Sequence, residues 1–112
     1  MSKPLVGVIG SARSIDDRFS VQMTGEKNLR ALAEVAGAMP LVFAGVPEIT
    51  DIGALLAAVD GILLPGGRAN VHPTHFGVDP HPRHEPYDES RDAVALDLTK
   101  ACVAQAVPIF GI

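Results

Sequence analysis

Apolar residues recur along this chain in two alternating rhythms. Short unbroken apolar runs at 4–9, 39–44, 62–64 and 107–112 have the length and character of strands buried on both faces. Between them the apolar spacing becomes helical. Leu29, Leu32, Ala33 and Ala36 stand at i, i+3, i+4 and i+7, which makes one apolar face. Glu26, Arg30 and Glu34 repeat every fourth residue on another face and support the same helix. Thr24 is its expected N-cap and Gly37 its C′ residue. Thr50 or Asp51 caps a second helix carrying Ile52, Leu55, Leu56 and Val59, which Asp60-Gly61 ends. Asp88 or Ser90 caps a third helix running to about Gln105. Pro40 confines the second strand's pairing to its start or to a sheet edge.

Two segments lack either rhythm. Residues 12–23 are polar and read as irregular. The stretch from Arg68 to Asp88 holds Pro73, Pro80, Pro82 and Pro86 and reads as one long loop; loops of that length are usually functional or mobile. The order β-α-β-α-β-loop-α-β predicts an α/β fold with a doubly wound, mostly parallel sheet of flavodoxin-like type. Its ligands would lie outside the carboxyl ends of the strands. No repeat or linker divides the chain, so residues 1–112 are expected to be the N-terminal part of a single domain. The last run, Val107 to Ile112, ends on an apolar residue. A terminal carboxylate at the edge of a core is costly, so the polypeptide is expected to continue, at the point where hydrolytic α/β enzymes turn sharply from strand into helix.

Composition narrows the function classes. A hydrophobic fraction of 47% suits a sheet covered on both sides. The net charge of −4 argues against nucleic acid, whose binders carry a basic stripe, and against an anionic membrane surface. No window approaches the ~18 apolar residues of a bilayer span, and Met1-Ser2-Lys3-Pro4 does not open a signal peptide. A cytoplasmic location is expected. The single cysteine, Cys102, excludes an internal disulfide framework.

Candidate chemistry gathers at strand ends. Gly66-Gly67 follows the third strand. Two glycines there permit positive φ and close approach of backbone N–H groups to a ligand, as an oxyanion hole or anion nest requires; a plain tight turn is the alternative. Gly7-Val-Ile-Gly10-Ser11 lacks dinucleotide spacing, and no phosphate-loop motif occurs. His72, His75, His81 and His84 all fall in the long loop, but its prolines leave them unorganised as metal ligands, and a solvated or substrate-covering loop is favoured. His75-Phe76-Gly77 is expected to anchor that loop by packing. Cys102 lies on the row Val94, Leu98, Cys102 of the third helix and reads as a buried small hydrophobe, not a nucleophile. Arg13, Asp16, Asp17 and Arg18 cluster after the first strand; Ser11 and Arg13, nearest the strand end, are candidate ligands for the charged ends of an amino-acid substrate.

Leu64-Pro65-Gly66-Gly67-Arg68-Ala69-Asn70-Val71, then Pro73, Phe76-Gly77, Arg91-Asp92 and Pro108-Ile109-Phe110-Gly111-Ile112, resemble the class I glutamine amidotransferase-like hydrolases of the γ-glutamyl-γ-aminobutyrate hydrolase type, peptidase family C26. Ala36-Gly37-Ala38-Met39-Pro40 is similar to the family's Ala-Gly-Gly-x-Pro segment, with Ala38 at the second glycine. The resemblance covers nearly the whole chain. It implies that the terminal strand leads into Cys-Arg-Gly, whose cysteine is the nucleophile, with a later His-x-Glu completing the triad. None of those three residues lies within 1–112. What carries over is Gly66, whose N–H would help hold the oxyanion, and Gly67 in the same turn. Arg68 and Asn70 sit where the family lines its γ-glutamyl pocket.

The resemblance thus implies thiolate attack on a γ-glutamyl amide and a thioester intermediate, in polyamine or γ-aminobutyrate catabolism by family analogy. This segment would be inactive alone. No cofactor or metal is implied. The expected partner is a small γ-glutamyl molecule, with a homodimer as an allowed assembly and neither nucleic acid nor membrane. A glutaminase subunit feeding ammonia to a synthase is the enzymatic alternative, and a non-catalytic amino-acid-binding module of the same fold is the other. For the end at Ile112, truncation is one reading; the favoured one is a longer protein continuing through a modified catalytic cysteine, since an exposed thiol of low pKa oxidises readily.

Overall fold

The computed structural model describes residues 2–112. Its strands are β1 (Leu5–Ile9), β2 (Ser11–Ile15), β3 (Phe19–Met23), β4 (Met39–Phe43), β5 (Gly61–Leu64) and β6 (Ile109–Gly111). Its helices are α1 (Glu26–Arg30), which runs on as a wider π turn over Ala31–Val35, α2 (Ile52–Ala58) and α3 (Glu89–Gln105). β1, β4, β5 and β6 form one all-parallel sheet in the order β4-β1-β5-β6. The order reverses at β1, whose neighbours on either side come later in the chain. That reversal opens a crevice at the strands' carboxyl ends, where ligands of such sheets bind.

Alternation along the strands divides the core. Gly7, Ile62 and Ile109 are register partners on one face, and Val8, Leu63 and Phe110 on the other. On the first face, Ile62 packs with Leu56 and Val59 from the α2 segment and with Leu98 and Cys102 of α3. Leu98 and Cys102 are fully buried, as are Val8 and Ile9. On the second face, Leu32 of the π turn shares a groove with Val6 and Leu63. Helices therefore lie against both faces, as the alternating pattern predicts. Cys102 is a packing residue, and burial pushes its thiol above the usual range.

Local signals explain most boundaries. Asp51 caps α2, its Oδ1 accepting from the Ala54 N–H at 2.9 Å, while Thr50 instead donates its hydroxyl to the Ala44 carbonyl at 2.6 Å. Asp88 caps α3 through the Arg91 N–H at 3.1 Å. Arg30 bridges Glu26 and Glu34 at 2.6 and 2.7 Å, and Gly37 leaves the π turn with φ +68°. Pro40 lies in β4, at the sheet edge, where its missing N–H costs nothing.

Four expectations are corrected. Residues 11–23 form an antiparallel hairpin, β2 with β3, not an irregular segment. Asp16 and Asp17 both take positive φ (54° and 52°) and the Arg18 N–H bonds the Ile15 carbonyl at 3.0 Å, a turn whose twist matches a hairpin. Acidic residues tolerate that conformation, so a charge cluster hid a turn. Thr24 caps nothing: Gly25 holds the N-cap position of α1 without a side-chain bond. Ala36, expected on the apolar face, is exposed because the π turn carries it off the stripe. His75-Phe76-Gly77 does not anchor the long loop; Phe76 is 61% exposed, and the buried residue is Pro73.

Replacing Leu98 by alanine removes a fully buried side chain and is expected to lower the intact protein's unfolding free energy by about 2–5 kcal/mol. Val103→Ala, at an exposed position of the same helix, should change it by no more than about 0.5 kcal/mol; urea titration of both variants checks this. The raised Cys102 thiol has a linked consequence. Unfolding lets it ionise more easily, so its contribution to stability is fully present below the ordinary thiol value of about 8.5 and is lost above it. Cys102→Ala should flatten the fall of stability between pH 8 and 10, read from the same titrations repeated across pH.

Candidate functional site

At the carboxyl end of β5 the chain turns through Pro65, Gly66 and Gly67 beside the end of β6. Here the Ile112 N–H donates to the Leu64 carbonyl at 3.0 Å. The turn, the end of β6 and the start of α3 enclose a cavity of about 420 Å³. Its wall includes Gly66, Gly67, Asn70, Asp88, Arg91 and Ile112. A Cβ built on Gly66 would stand 3.6 Å from the Ile112 carbonyl oxygen, and one on Gly67 only 3.3 Å from Nη1 of Arg91. Neither glycine takes a positive φ; those that do are Gly37 and Gly77. The conformational reason given for the pair in the sequence is thus corrected: neither glycine uses left-handed geometry, a Cβ on Gly66 would make only an ordinary contact, and Gly67 is tight solely against the tip of the Arg91 side chain. Neither amide N–H donates to a backbone carbonyl among the described residues.

The start of α3 organises this corner. Asp88 Oδ1 takes the Arg91 N–H, and its Oδ2 accepts from the Ala12 N–H at 3.0 Å. The hairpin is thereby tied to the site. Arg91 in turn reaches across to β5, its Nη2 donating to the Pro65 carbonyl at 2.5 Å. The next residue, the buried Asp92, accepts the His72 N–H at 2.8 Å on Oδ2. Gly45, after β4, lies so close that a Cβ would meet the Gly10 carbonyl at 2.6 Å and the Arg91 Cα at 3.4 Å. Only glycine fits between those two backbones. Loops from the ends of β1, β4 and β5 thus converge on a single helix start.

The long loop is held at both legs. Asn70 and Tyr87 form an isolated parallel bridge, the Asn70 N–H bonds the Pro86 carbonyl at 2.9 Å, and Asn70 Nδ2 donates to the His84 carbonyl at 2.6 Å. Asn70 also forms part of the cavity wall. The His72 ring stacks at a tilt on Tyr87, centroids 4.6 Å apart. Short helical turns at Pro73–Phe76 and Pro82–His84 complete the loop. Among the described residues no three His, Cys, Asp or Glu side chains are placed to hold a metal ion, and no helix is long and apolar enough to cross a membrane.

Of the residues singled out in the sequence, Gly66, Gly67 and Asn70 come together on the cavity, whereas Arg68, Ser11 and Arg13 are not part of its wall. Arg68 and Arg13 are exposed, and Ser11 and Arg13 lie on β2. Sequence reasoning passed over Asp88 and Arg91 as site residues. Their signal was an N-cap aspartate followed three positions later by arginine, at a helix start that the α/β order directs toward the sheet's carboxyl end.

The family model of Peptidase C26 matches residues 4–112. The γ-glutamyl-γ-aminobutyrate hydrolase of Escherichia coli O157:H7 is 32% identical over 114 aligned positions, covering 100% of this chain and 43% of the relative. The hydrolase PuuD of Escherichia coli K12 has the same identity and coverage, and that of Shigella flexneri is 31% identical with equal coverage. The chain therefore spans less than half the length of the curated relatives it matches. Parallel sheet, glycine turn and matched family agree: this chain belongs to the peptidase C26 family.

Proposed function

We propose that this chain supplies the oxyanion side of a cysteine-dependent hydrolase of γ-glutamyl amides such as γ-glutamyl-γ-aminobutyrate. The observation that carries the reading is the meeting of two strand ends on one cavity: the Gly66-Gly67 turn after β5 and Ile112 just after β6. A cysteine following Ile112 would enter that cavity beside the Gly66 N–H. The His and Glu of the triad belong to the part of such enzymes that lies beyond residue 112, and the relatives' names support the substrate class.

The chemistry follows from these positions. A base beside the sulfur removes its proton, and the thiolate attacks the amide carbonyl carbon. The carbonyl oxygen becomes an anion next to the turn, where the Gly66 N–H, without a backbone acceptor of its own, stabilises it as it forms. The C–N bond then breaks, the amine leaves with the proton, and a γ-glutamyl thioester remains. Water attacks the thioester through a second anion in the same place, returning glutamate and the thiol. Asn70 Oδ1 accepts from the substrate's ammonium group.

Gly66→Pro tests the turn directly, because it deletes the donor and the glycine has no positive φ to forfeit. In the intact enzyme it should lower kcat on γ-glutamyl-γ-aminobutyrate by about 10²–10³-fold with KM little changed. Gly66→Ala keeps the N–H and should stay within about tenfold of wild type. Equal losses in both variants, with unchanged melting temperatures, would contradict an oxyanion role. Failure of the wild-type enzyme to cleave any γ-glutamyl amide would contradict the whole reading.

A further inference from the structure

Among the described residues, Arg91 is the one side chain that hydrogen-bonds the glycine turn from outside it. Its Nη2 donates to the Pro65 carbonyl at 2.5 Å, and its Nη1 lies under Gly67, 3.3 Å from where a Cβ would be. The Pro65 carbonyl and the Gly66 N–H belong to the same peptide unit. That unit is trans, since the only cis bond among the described residues is Glu85-Pro86. In a trans peptide the C=O and N–H point in opposite directions within one rigid plane. Holding the carbonyl therefore sets the direction of the N–H, which points away from the guanidinium and has no backbone acceptor.

The guanidinium is itself well placed to hold still. The Arg91 main chain is bound by Asp88 Oδ1 at 3.1 Å, and its Cα and Cβ lie so near Gly45 that a Cβ added there would stand 3.4 Å from each. Arginine suits the task because its planar fork presents donors in fixed directions, whereas a lysine ammonium acts as a point charge on a flexible stem. A peptide between a proline and two glycines would otherwise be free to flip, because glycine lacks the Cβ that restricts ψ and φ on its own side.

We propose that Arg91 is a positioning residue that locks the Pro65-Gly66 peptide plane and so aims the Gly66 N–H at the developing oxyanion. This rests on the hydrolytic reading above. Arg91 touches neither substrate nor reacting atoms in this scheme; it acts through the peptide it holds. Its loss should therefore reach the transition state more than the bound substrate, lowering kcat without raising KM.

The test uses the intact enzyme with Arg91→Lys and Arg91→Ala, each checked by thermal melting. Two readouts are taken: kinetics on γ-glutamyl-γ-aminobutyrate and the ¹⁵N order parameter of the Gly66 amide. Wild type should give an order parameter near 0.85, and Arg91→Ala one below about 0.6. kcat should fall about 10–100-fold at constant KM, and added guanidinium ion at millimolar concentration should restore part of it to Arg91→Ala. A Gly66 amide that stays rigid in Arg91→Ala overturns the lock. A loosened amide with unchanged kcat, or a rise in KM alone, overturns its role in positioning. An inactive wild type defeats the hydrolytic reading, and with it the catalytic use of the lock, while the order parameter still decides whether Arg91 holds the turn.

Discussion

The corner that carries the glycine turn depends on the two oxygens of Asp88. One closes the first turn of α3 by accepting from Arg91, and the other accepts from Ala12 at the start of the hairpin. A helix start leaves several N–H groups without partners, and a capping carboxylate normally answers one of them at a solvent boundary. Here the same carboxylate also fixes a segment 76 residues away in the chain. Because α3 is anchored at its other end by Leu98 and Cys102 in the core, its N-terminus becomes a rigid post. The loops at the ends of β1, β4 and β5 are all set against that post, through Ala12, Gly45 and Pro65.

This arrangement gives the glycine turn its environment. Backbone donors in a cavity are useful for stabilising a transient anion only if they are already oriented when charge develops. A turn built from Pro65, Gly66 and Gly67 has little side-chain material with which to brace itself. The bracing comes from outside: the Arg91 fork on the carbonyl side and the register of β5 with β6, which brings the Ile112 N–H to Leu64. The long loop contributes another wall. Asp92 holds its start at His72, Pro73 is buried beneath it, and Asn70 binds its returning leg at Pro86 and His84.

Much of this was legible in the residues. Unbroken apolar runs located every strand of the parallel sheet, and 3.6-residue spacing located the three helices; β1 and β5 realise the expected burial, whereas Met39, Leu41 and Val42 of β4 and Phe110 of β6 are exposed and no residue of α1 is buried. Cys102 declared itself structural by sharing a row with Val94 and Leu98, all three of which are buried. The hairpin escaped because its strands are largely exposed and paired only with each other, so no burial pattern marks them; the turn signal was Asp16-Asp17, which read as charge and acted as a turn. The misplaced loop anchor has a similar cause. An aromatic residue is the usual guess for a packing contact, yet Phe76 faces solvent and the smaller Pro73 fills the space. Arg91 was visible as part of a motif, but its reach to Pro65 spans 26 residues and no local pattern encodes it.

In the proposed scheme this chain builds the oxyanion wall for a nucleophile outside residues 1–112, and its own Cys102 is a core residue. The most direct measurement is peptide mapping of the intact enzyme after acid quench during turnover of a γ-glutamyl amide. A hydroxylamine-labile γ-glutamyl adduct is expected on a cysteine immediately after Ile112, with Cys102 unmodified. An adduct on Cys102, or turnover with no cysteine adduct in any peptide, would contradict it.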